Sequence, residues 1–187
     1  MRKLIAKTDM SLDGVIDNPG AFTAPYWTDE WNEHAGALTF DTLLMGRKTY
    51  EGFSAAWTRP EMLEAEGEFA THMNTVPKYV VSSTLDTAEW NNTTVVRPDD
   101  LEAEVTRIKQ APGGDIVMFG FGGVAHQLLK AGLLDELQVW IYPVLAGAVE
   151  VDKLLFRDGT QIPLRLNNAT TLKSGVIILS FGPAEPS

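Results

Sequence analysis

The stretch DIVMFGFGGVAHQLLKAGLLDEL, residues Asp115 to Leu137, decides the fold of this chain. An apolar run typical of a buried strand leads into a glycine-rich turn, and apolar residues at helical spacing follow. Gly120, Gly122 and Ala125 match the pattern G-x-G-x-x-G/A, in which the backbone approaches a phosphate and the free N–H groups of a helix start face it. The same pattern forms plain tight turns between a strand and a helix, so both interpretations stay open.

The rest of the chain alternates strands and helices in the same way. Helices are predicted to begin near Thr28, at Arg47, at Pro60, after Asp99 or Asp100, and at Gly123. Near the end, PLRLNNATTL and GVIILSFG flank KSG and predict an antiparallel hairpin. We therefore predict an α/β fold in one domain over residues 1–187, with a frayed tail at 182–187 and a mixed, mostly parallel sheet between helices. The predicted strands are RKLIAKTDM, DTLLMG, KYVVSS, TTVVRP, DIVMFG and ELQVWIYPVL.

Composition excludes several classes of protein. Asp and Glu total 25 against 15 Lys and Arg, and the net charge of −10 opposes a broad nucleic-acid or membrane-surface footprint. The chain has no cysteine, so disulfides, thiol nucleophiles and cysteine-ligated metals are impossible. His34, His72 and His126 are scattered, and we expect no metal site. No apolar stretch is long enough to span a bilayer and the N-terminus lacks a signal core, so a cytoplasmic protein is expected.

The glycine turn does not fit a Rossmann dinucleotide domain. That fold carries its glycine fingerprint after the first strand and an acidic residue at the end of the next strand. Here the turn comes late, and the segment YPVLAG contains no acidic residue before Glu150.

Two other strand ends carry residues that suit phosphate. The strand end at residues 46–49 combines a glycine, two cations and a hydroxyl at a helix start. The strand end at residues 82–83 carries a pair of serines. Exposed cations in a first helical turn and serines in an ordinary turn are the alternative interpretations. The carboxyl ends of parallel strands gather at one edge of a sheet, where α/β proteins bind ligands. The residues are Gly46, Arg47, Lys48 and Thr49, then Ser82 and Ser83.

In their order and spacing, these motifs resemble the dihydrofolate-reductase-like superfamily. MSLDGVID, LLMGRKTY, KYVVSST, IVMFGFGGVAHQLL and DELQVWIYPVLAG are more closely similar to stand-alone relatives of the reductase half of the bifunctional riboflavin-biosynthesis deaminase-reductase. The resemblance covers roughly residues 2–182 and implies a three-layer fold with NADPH laid across the strand ends.

The resemblance also implies roles for the cofactor-binding residues. Gly46 to Thr49 would meet the phosphates, with Arg47 or Lys48 favouring the 2′-phosphate, while Ser82 and Ser83 would lie beside the adenosine ribose. The turn after the late strand would cradle the pyrophosphate through Gly120, Phe121, Gly122, Gly123 and Val124.

On the substrate side, Asp13 and Gly14 match the family's loop beside the nicotinamide. Asp13 is the candidate catalytic residue, orienting a substrate hydroxyl or relaying a proton, and an Asx turn is the alternative. Trp27 walls the substrate pocket or simply packs. Glu30 is either the acid that protonates a pterin or an exposed first-turn carboxylate. Gly147 would help shape the substrate side.

Three departures from the family limit the expected reaction. Ala125 stands where folate-reducing enzymes carry a tyrosine, Val149 replaces a second glycine of riboflavin-type relatives, and no zinc deaminase motif is present. We expect NADPH-dependent hydride transfer to a C=N or C=O carbon of a small heterocycle, with 5-amino-6-(5-phosphoribosylamino)uracil as the named candidate. A non-catalytic nucleotide-binding or ligand-sensing module and a dihydrofolate reductase are the alternatives. A strand apolar on both faces, LQVWIYPVL, and the resemblance together favour a homodimer.

Overall fold

A computed structural model describes residues 1–147, 150–155 and 161–184 of the chain. Its eight strands form one sheet in the order β4-β3-β2-β5-β1-β6-β8-β7. The six strands from β4 to β6 are parallel, and β8 runs antiparallel to both β6 and β7. The predicted mixed sheet and its terminal hairpin are therefore confirmed. The strands are β1 Leu4–Ser11, β2 Thr42–Gly46, β3 Lys78–Val81, β4 Thr93–Val96, β5 Ile116–Phe119, β6 Glu136–Tyr142, β7 Leu164–Thr171 and β8 Ile177–Pro183.

Helices cover both faces of this sheet. Helices α2, α3 and α4 pack on one face, and α5 and α6 pack on the other. Thr28 begins α2 as predicted, since its hydroxyl accepts the N–H of Trp31 at 3.2 Å. The helix predicted to begin after Asp99 or Asp100 is α5; Asp100 directly precedes it, but its side chain makes no capping hydrogen bond. The helices are α1 Gly20–Thr23, α2 Asp29–Gly36, α3 Arg47–Trp57, α4 Pro60–Thr75, α5 Leu101–Gln110 and α6 Gly123–Lys130.

Buried side chains fill the two layers between sheet and helices. Leu4, Ile116 and Leu128 belong to the core beneath α5 and α6. Leu43 and Met73 belong to the core beneath α3 and α4. A third, aromatic cluster around Trp140 and Tyr142 lies beneath α1 and α2, next to the carboxyl ends of β1 and β6.

Two strand ends differ from the sequence prediction. Strand β6 stops at Tyr142 because Pro143 has no N–H to donate, and the N–H of Val144 turns back to the carbonyl of Tyr142 at 2.8 Å. Strand β8 continues through Gly182 and Pro183, which were predicted to fray, because they pair with the first residues of β7. Residues 185–187 of the predicted tail lie outside the described residues.

Candidate functional site

The carboxyl ends of the six parallel strands form one edge of the sheet. Moving along this edge, Ser82 follows β3, Gly46 ends β2, Gly120 follows β5, and Asp13 comes two residues after β1. The segment that leads to Gly147 follows β6. These predicted residues therefore share one edge of the sheet, although they lie far apart in the sequence.

The centre of this edge is a topological switch point. Strands β2 and β5 are neighbours, but α3 leaves β2 toward one face of the sheet and α6 leaves β5 toward the other. The two strands pair only at Thr42 and Leu43, so their carboxyl ends are not joined by ladder hydrogen bonds. Open α/β sheets bind ligands in the crevice that such a divergence creates.

Two helix N-termini meet at this crevice without side-chain caps. Gly46 is the residue before α3 and Gly122 the residue before α6, and neither supplies a capping side chain. The first N–H groups of a helix have no partner within the helix and carry the positive end of its dipole. A Cβ built on Gly46 would lie 3.5 Å from Cγ2 of Val124, so the two helix starts are in contact distance of each other.

The glycines of the late turn leave free space at its surface. A Cβ built on Gly122 or Gly123 meets no heavy atom within 4 Å, and Gly122 has an ordinary φ of −86°. Gly120, in contrast, has a φ of +93° and donates its N–H to the carbonyl of Lys7 at 2.7 Å, so the chain needs glycine there to turn off β5. Phe121 is buried in the core, so its contribution to a bound molecule is limited to its backbone.

Arg47 spans the gap between the ends of β2 and β3. Its guanidinium donates to the hydroxyl of Thr84 and, through Nε, to Glu51 at 2.6 Å. Lys48 is exposed beside it, and Thr49 is half-buried in the first turn of α3. An anion held between α3 and the loop after β3 would thus have two cations within the same helical turn.

Ser82 is buried and builds its own loop. Its hydroxyl accepts the N–H groups of Thr84 at 3.2 Å and Leu85 at 2.9 Å, and its carbonyl accepts from Arg97 at 3.2 Å. The turn interpretation therefore describes the Ser82 side chain, whereas Ser83 is exposed. Arg97 was not predicted, although its position directly after β4 places it at the same edge of the sheet.

Asp13 anchors the segment after β6. Its carboxylate accepts the hydroxyl of Ser11 and the N–H groups of Ala146 at 3.0 Å and Gly147 at 2.7 Å. The Ser11 hydrogen bond first, then those two N–H groups, lower the pKa of Asp13 from 3.8 to about 2. The alternative of an Asx turn is wrong, because the turn after β1 is closed by Ser11, whose hydroxyl accepts the N–H of Val15.

Gly14 and Gly147 both have a positive φ and form backbone hydrogen bonds in this region. Gly14 is buried with a φ of +89°, and its carbonyl accepts the N–H of Leu155 at 2.9 Å. Gly147 has a φ of +69° and holds Asp13 through its N–H. Residue 149, where the sequence departs from riboflavin-type relatives, lies outside the described residues.

A buried polar network between β1, β6 and α2 was missed at the sequence level. Lys7 donates to both carboxylate oxygens of Asp9 at 2.7 and 2.6 Å, and its ammonium lies 4.7 Å from the ring centroid of Trp140. Tyr142 donates its hydroxyl to Asp9 at 3.0 Å and accepts the indole N–H of Trp31 at 2.8 Å. Burial first, and then the Asp9 charge, raise the pKa of Tyr142. The signal was a Lys and an Asp two residues apart in a largely buried strand, which puts both on one face.

Trp27 and Glu30 lie at the start of α2. The Trp27 side chain is 56% exposed, and its ring packs on Trp31 with centroids 5.9 Å apart. The Glu30 carboxylate accepts the N–H of Lys173 at 2.8 Å, so it fastens α2 to the β7–β8 turn. Neither sequence interpretation of Glu30 included this contact.

A shallow depression of about 400 Å³ continues from the glycine turn along α6. It is lined by Gly123, His126 and Gln127, with Glu102 and Lys130 at its far side. These residues were not predicted, because the sequence of a helix does not reveal which of its side chains face a neighbouring helix.

Within the described ranges, no three His, Asp or Glu side chains come together as metal ligands do. No helix in that part of the chain has both the length and the apolar character required to cross a bilayer.

Comparison with known proteins identifies the family. The sequence profile of the RibD C-terminal domain matches residues 2–178. The chain is also 33% identical over 188 residues to the uncharacterized protein YyaP of Bacillus subtilis, covering 96% of this chain and 94% of YyaP. The chain belongs to the RibD C-terminal domain family.

Solved structures with the RibD C-terminal fold superpose over nearly the whole chain. A putative riboflavin biosynthesis protein from Shewanella sp. PV-4 is 18% identical with a TM-score of 0.66, and the match covers 98% of this chain and 99% of that one. A pyrimidine reductase-like protein from Corynebacterium diphtheriae is 13% identical with a TM-score of 0.64, covering 99% and 93% of the two chains. Acinetobacter baumannii RibD is 14% identical with a TM-score of 0.65, and the chain covers only 59% of it. At these identities the likeness establishes the fold, and the predicted family and fold are both confirmed.

Proposed function

We propose that this RibD C-terminal domain protein is an NADPH-dependent reductase that transfers hydride to a C=N or C=O carbon of a small heterocycle. Family membership supports an activity of the reductase kind. The observation that carries the proposal is the pair of uncapped helix N-termini, at Gly46 and Gly122, on either side of the crevice between β2 and β5.

The residues present fit a dinucleotide phosphate cofactor. Open space above Gly122 and Gly123 leaves room for a pyrophosphate beside the N-terminus of α6. Arg47 and Lys48 would hold the 2′-phosphate, with Ser83 and Thr84 in the loop next to it. The depression lined by His126 and Gln127 adjoins the same turn and has the size to accept part of the adenosine.

When bound, the cofactor supplies the hydride, and the chain supplies binding, orientation and electrostatics. Asp13 is ionised at neutral pH, so it suits accepting a hydrogen bond from a substrate hydroxyl better than donating a proton. By holding Ala146 and Gly147, the same carboxylate also fixes the segment that borders the substrate side. The Tyr142 hydroxyl and the Lys7 ammonium are directed to Asp9, which keeps that region ordered and polar.

Titration of the purified protein with NADPH, followed by nicotinamide fluorescence, tests the proposal. We expect saturable binding, and oxidation of NADPH when a suitable acceptor is added. The acceptors to include are 5-amino-6-(5-phosphoribosylamino)uracil, dihydrofolate and unphosphorylated pyrimidines. Absence of NADPH binding would overturn the nucleotide site, whereas binding without turnover on any acceptor would favour a ligand-sensing module.

We also propose that two copies associate through the face of the β7–β8 hairpin that α5 and α6 leave uncovered. Leu166 and Ile177 are exposed there, each opposite a half-buried apolar residue of the neighbouring strand. Exposed apolar patches of this kind mark association surfaces. Sedimentation velocity should give a dimer that Leu166→Glu converts to a monomer, and a monomeric wild-type protein at tens of micromolar would exclude this interface.

A further inference from the structure

A second concave surface lies between the end of α2 and the sheet, and we call it the hairpin groove. It has a volume of about 410 Å³ and lies on the face of the sheet that α2 covers. Its sheet side is built from the first residues of β1 and β6 and from the hairpin strands β7 and β8. The polar members on β6, β7 and β8 are Glu136, Gln138, Asn168, Thr170 and Ser180.

Polar side chains form a row across three neighbouring strands of this groove. Gln138 of β6 pairs with Ser180 of β8, and Ser180 pairs in turn with Asn168 of β7. Side chains of paired residues lie on the same face about 5 Å apart, so this polar row is about 10 Å long. Thr170 extends the row along β7, since it lies two residues after Asn168 on the same face.

The polar row keeps hydrogen-bonding capacity beyond its contacts within the protein. Asn168 donates one amide hydrogen to the Thr170 hydroxyl at 3.1 Å, and its carbonyl oxygen and other hydrogen have no partner in the described part of the chain. Gln138 likewise donates one amide hydrogen to Glu136 at 2.9 Å and keeps its other two groups. Because each amide both donates and accepts, the row suits a ligand whose polar groups also do both.

The carboxylate of Glu136 is already compensated by the protein. It accepts hydrogen bonds from Gln138 and Ser180 at 2.9 Å each, and the ammonium of Lys3 lies 3.8 Å away. Since three donors already face this carboxylate, the groove does not require a counter-charge from a ligand. A neutral ligand is therefore favoured.

Trp140 lines the same groove and carries a donor without an acceptor. Its side chain is only 2% exposed, and its indole N–H has no hydrogen-bond partner in the described part of the protein. The ring is held edge-on by Trp31, with centroids 5.4 Å apart, and lies 4.7 Å from the ammonium of Lys7. A buried donor left unpaired is costly, so a ligand oxygen that accepts this N–H would be stabilised.

We propose that the hairpin groove binds a neutral polyhydroxylated molecule, a sugar or a sugar alcohol. Hydroxyl groups on successive carbons both donate and accept, which matches the polar row from Gln138 to Asn168. The C–H groups between them would pack on Leu38 and Ile178, which line the same groove. A volume of about 410 Å³ is in the range of small-molecule sites.

The hairpin groove is separate from both surfaces proposed above. Glu136 is the first residue of β6, whereas the cofactor crevice lies at the carboxyl ends of the parallel strands. Thr170 and Ser180 face the opposite side of the hairpin from Leu166 and Ile177, so a dimer through those residues leaves the groove uncovered. Polyol binding can therefore be measured whether or not NADPH binds.

Two-dimensional ¹H–¹⁵N NMR of the labelled protein tests the proposal through the Trp140 indole. The chain has five tryptophans, and the Trp140 signal is the one missing in Trp140→Phe. Titration with sorbitol or glucose should move this proton signal downfield with a Kd of about 1 mM or below, and no saturable shift by about 20 mM would overturn the proposal. If Trp140→Phe does not fold, the backbone amide signals of Gln138 and Ser180 give the same readout. Thermal melting is unsuitable, because polyols stabilise most proteins by exclusion from their surface.

Gluconate tests the preference for a neutral ligand, because it differs from sorbitol by a carboxylate at one end. We expect it to bind about fivefold more weakly than sorbitol, since Glu136 and Asp115 line the groove and repel an added carboxylate. Equal or tighter binding of gluconate would refute the neutral class.

Two threonine variants locate the site. Thr170→Val removes a hydroxyl from the groove, and Thr171→Val makes the same change on the neighbouring residue, which faces the other side of β7. Thr170→Val and Gln138→Leu should each weaken sorbitol binding about fivefold, whereas Thr171→Val should stay within about twofold of the wild type. Equal effects of the two threonine variants would show that the polyol binds elsewhere.

NADPH titration of the same preparations separates this proposal from the preceding one. Saturable polyol binding without NADPH binding would refute the reductase and leave the hairpin groove standing. NADPH binding without polyol binding would refute the groove alone.

Discussion

Substituting Gly122 by aspartate places a carboxylate in the proposed pyrophosphate cradle without disturbing the fold. The residue has an ordinary φ of −86°, and an added Cβ meets no heavy atom within 4 Å. Gly122 is also the residue before α6, a position where aspartate and asparagine both cap helices well. The variant should therefore unfold at the wild-type temperature or slightly above it.

The expected loss of affinity follows from Coulomb's law. A carboxylate about 5 Å from a phosphate charge, at an effective dielectric constant of about 40, costs about 1.7 kcal/mol. The two charges of a pyrophosphate together cost about 3 kcal/mol, or a ~100-fold weaker Kd for NADPH. Nicotinamide fluorescence titrations at low salt measure this directly.

Gly122→Asn is the matched control, because it has the same shape and capping ability without the charge. It should keep the NADPH affinity within a few-fold of the wild type. If the aspartate and asparagine variants bind NADPH equally well, the pyrophosphate does not lie at α6, and the reasoning from the uncapped helix start is refuted.

Other parts of the site and of the core give independent predictions. Arg47→Ala should weaken NADPH about tenfold more than NADH, because only NADPH has the 2′-phosphate; equal losses would move that contact to Lys48. Burial lowers the pKa of Lys78 from 10.5 to about 8, so the folded protein loses the Lys78 proton at a lower pH than the unfolded chain does. The free energy of unfolding should therefore rise by about 3 kcal/mol between pH 8 and pH 10.5. Urea unfolding should show this rise in the wild type but not in Lys78→Met, and parallel pH curves would contradict it. Hydrogen exchange of the Gly147 N–H should be faster in Asp13→Asn than in the wild type. In the wild type, the protection of this N–H should be complete above pH 3.8 and should be lost as the pH falls through about 2, because the Asp13 carboxylate is then protonated. Protection that does not depend on pH would exclude the carboxylate as the anchor.

Local sequence patterns predicted the elements of this protein because the relevant interactions are local. The strand before Gly120, the helix after it and the Thr28 cap all depend on residues within one or two turns. The gathering of Gly46, Ser82 and Gly122 at one edge followed from the rule that parallel strands end together.

What sequence analysis missed depends on contacts between distant segments. Glu30 accepts a hydrogen bond from Lys173, 143 positions away, and Asp13 reaches Gly147 across 134 positions. Nothing near either acid in the sequence specifies those partners. Lys7 and Asp9 could have been singled out as paired charges in a buried strand, but their contact with Tyr142 requires knowing that β6 lies beside β1.

The position of β5 between β1 and β2 limits the order in which the sheet can fold. Strand β1 pairs with β5 and β6, which both lie after residue 115. During synthesis, β1 therefore has no partner strand until more than a hundred residues have been made. Such long-range pairing is slow to form. We therefore expect the proposed phosphate cradle to form late, so nucleotide-dependent fluorescence during refolding should appear after most of the helical signal.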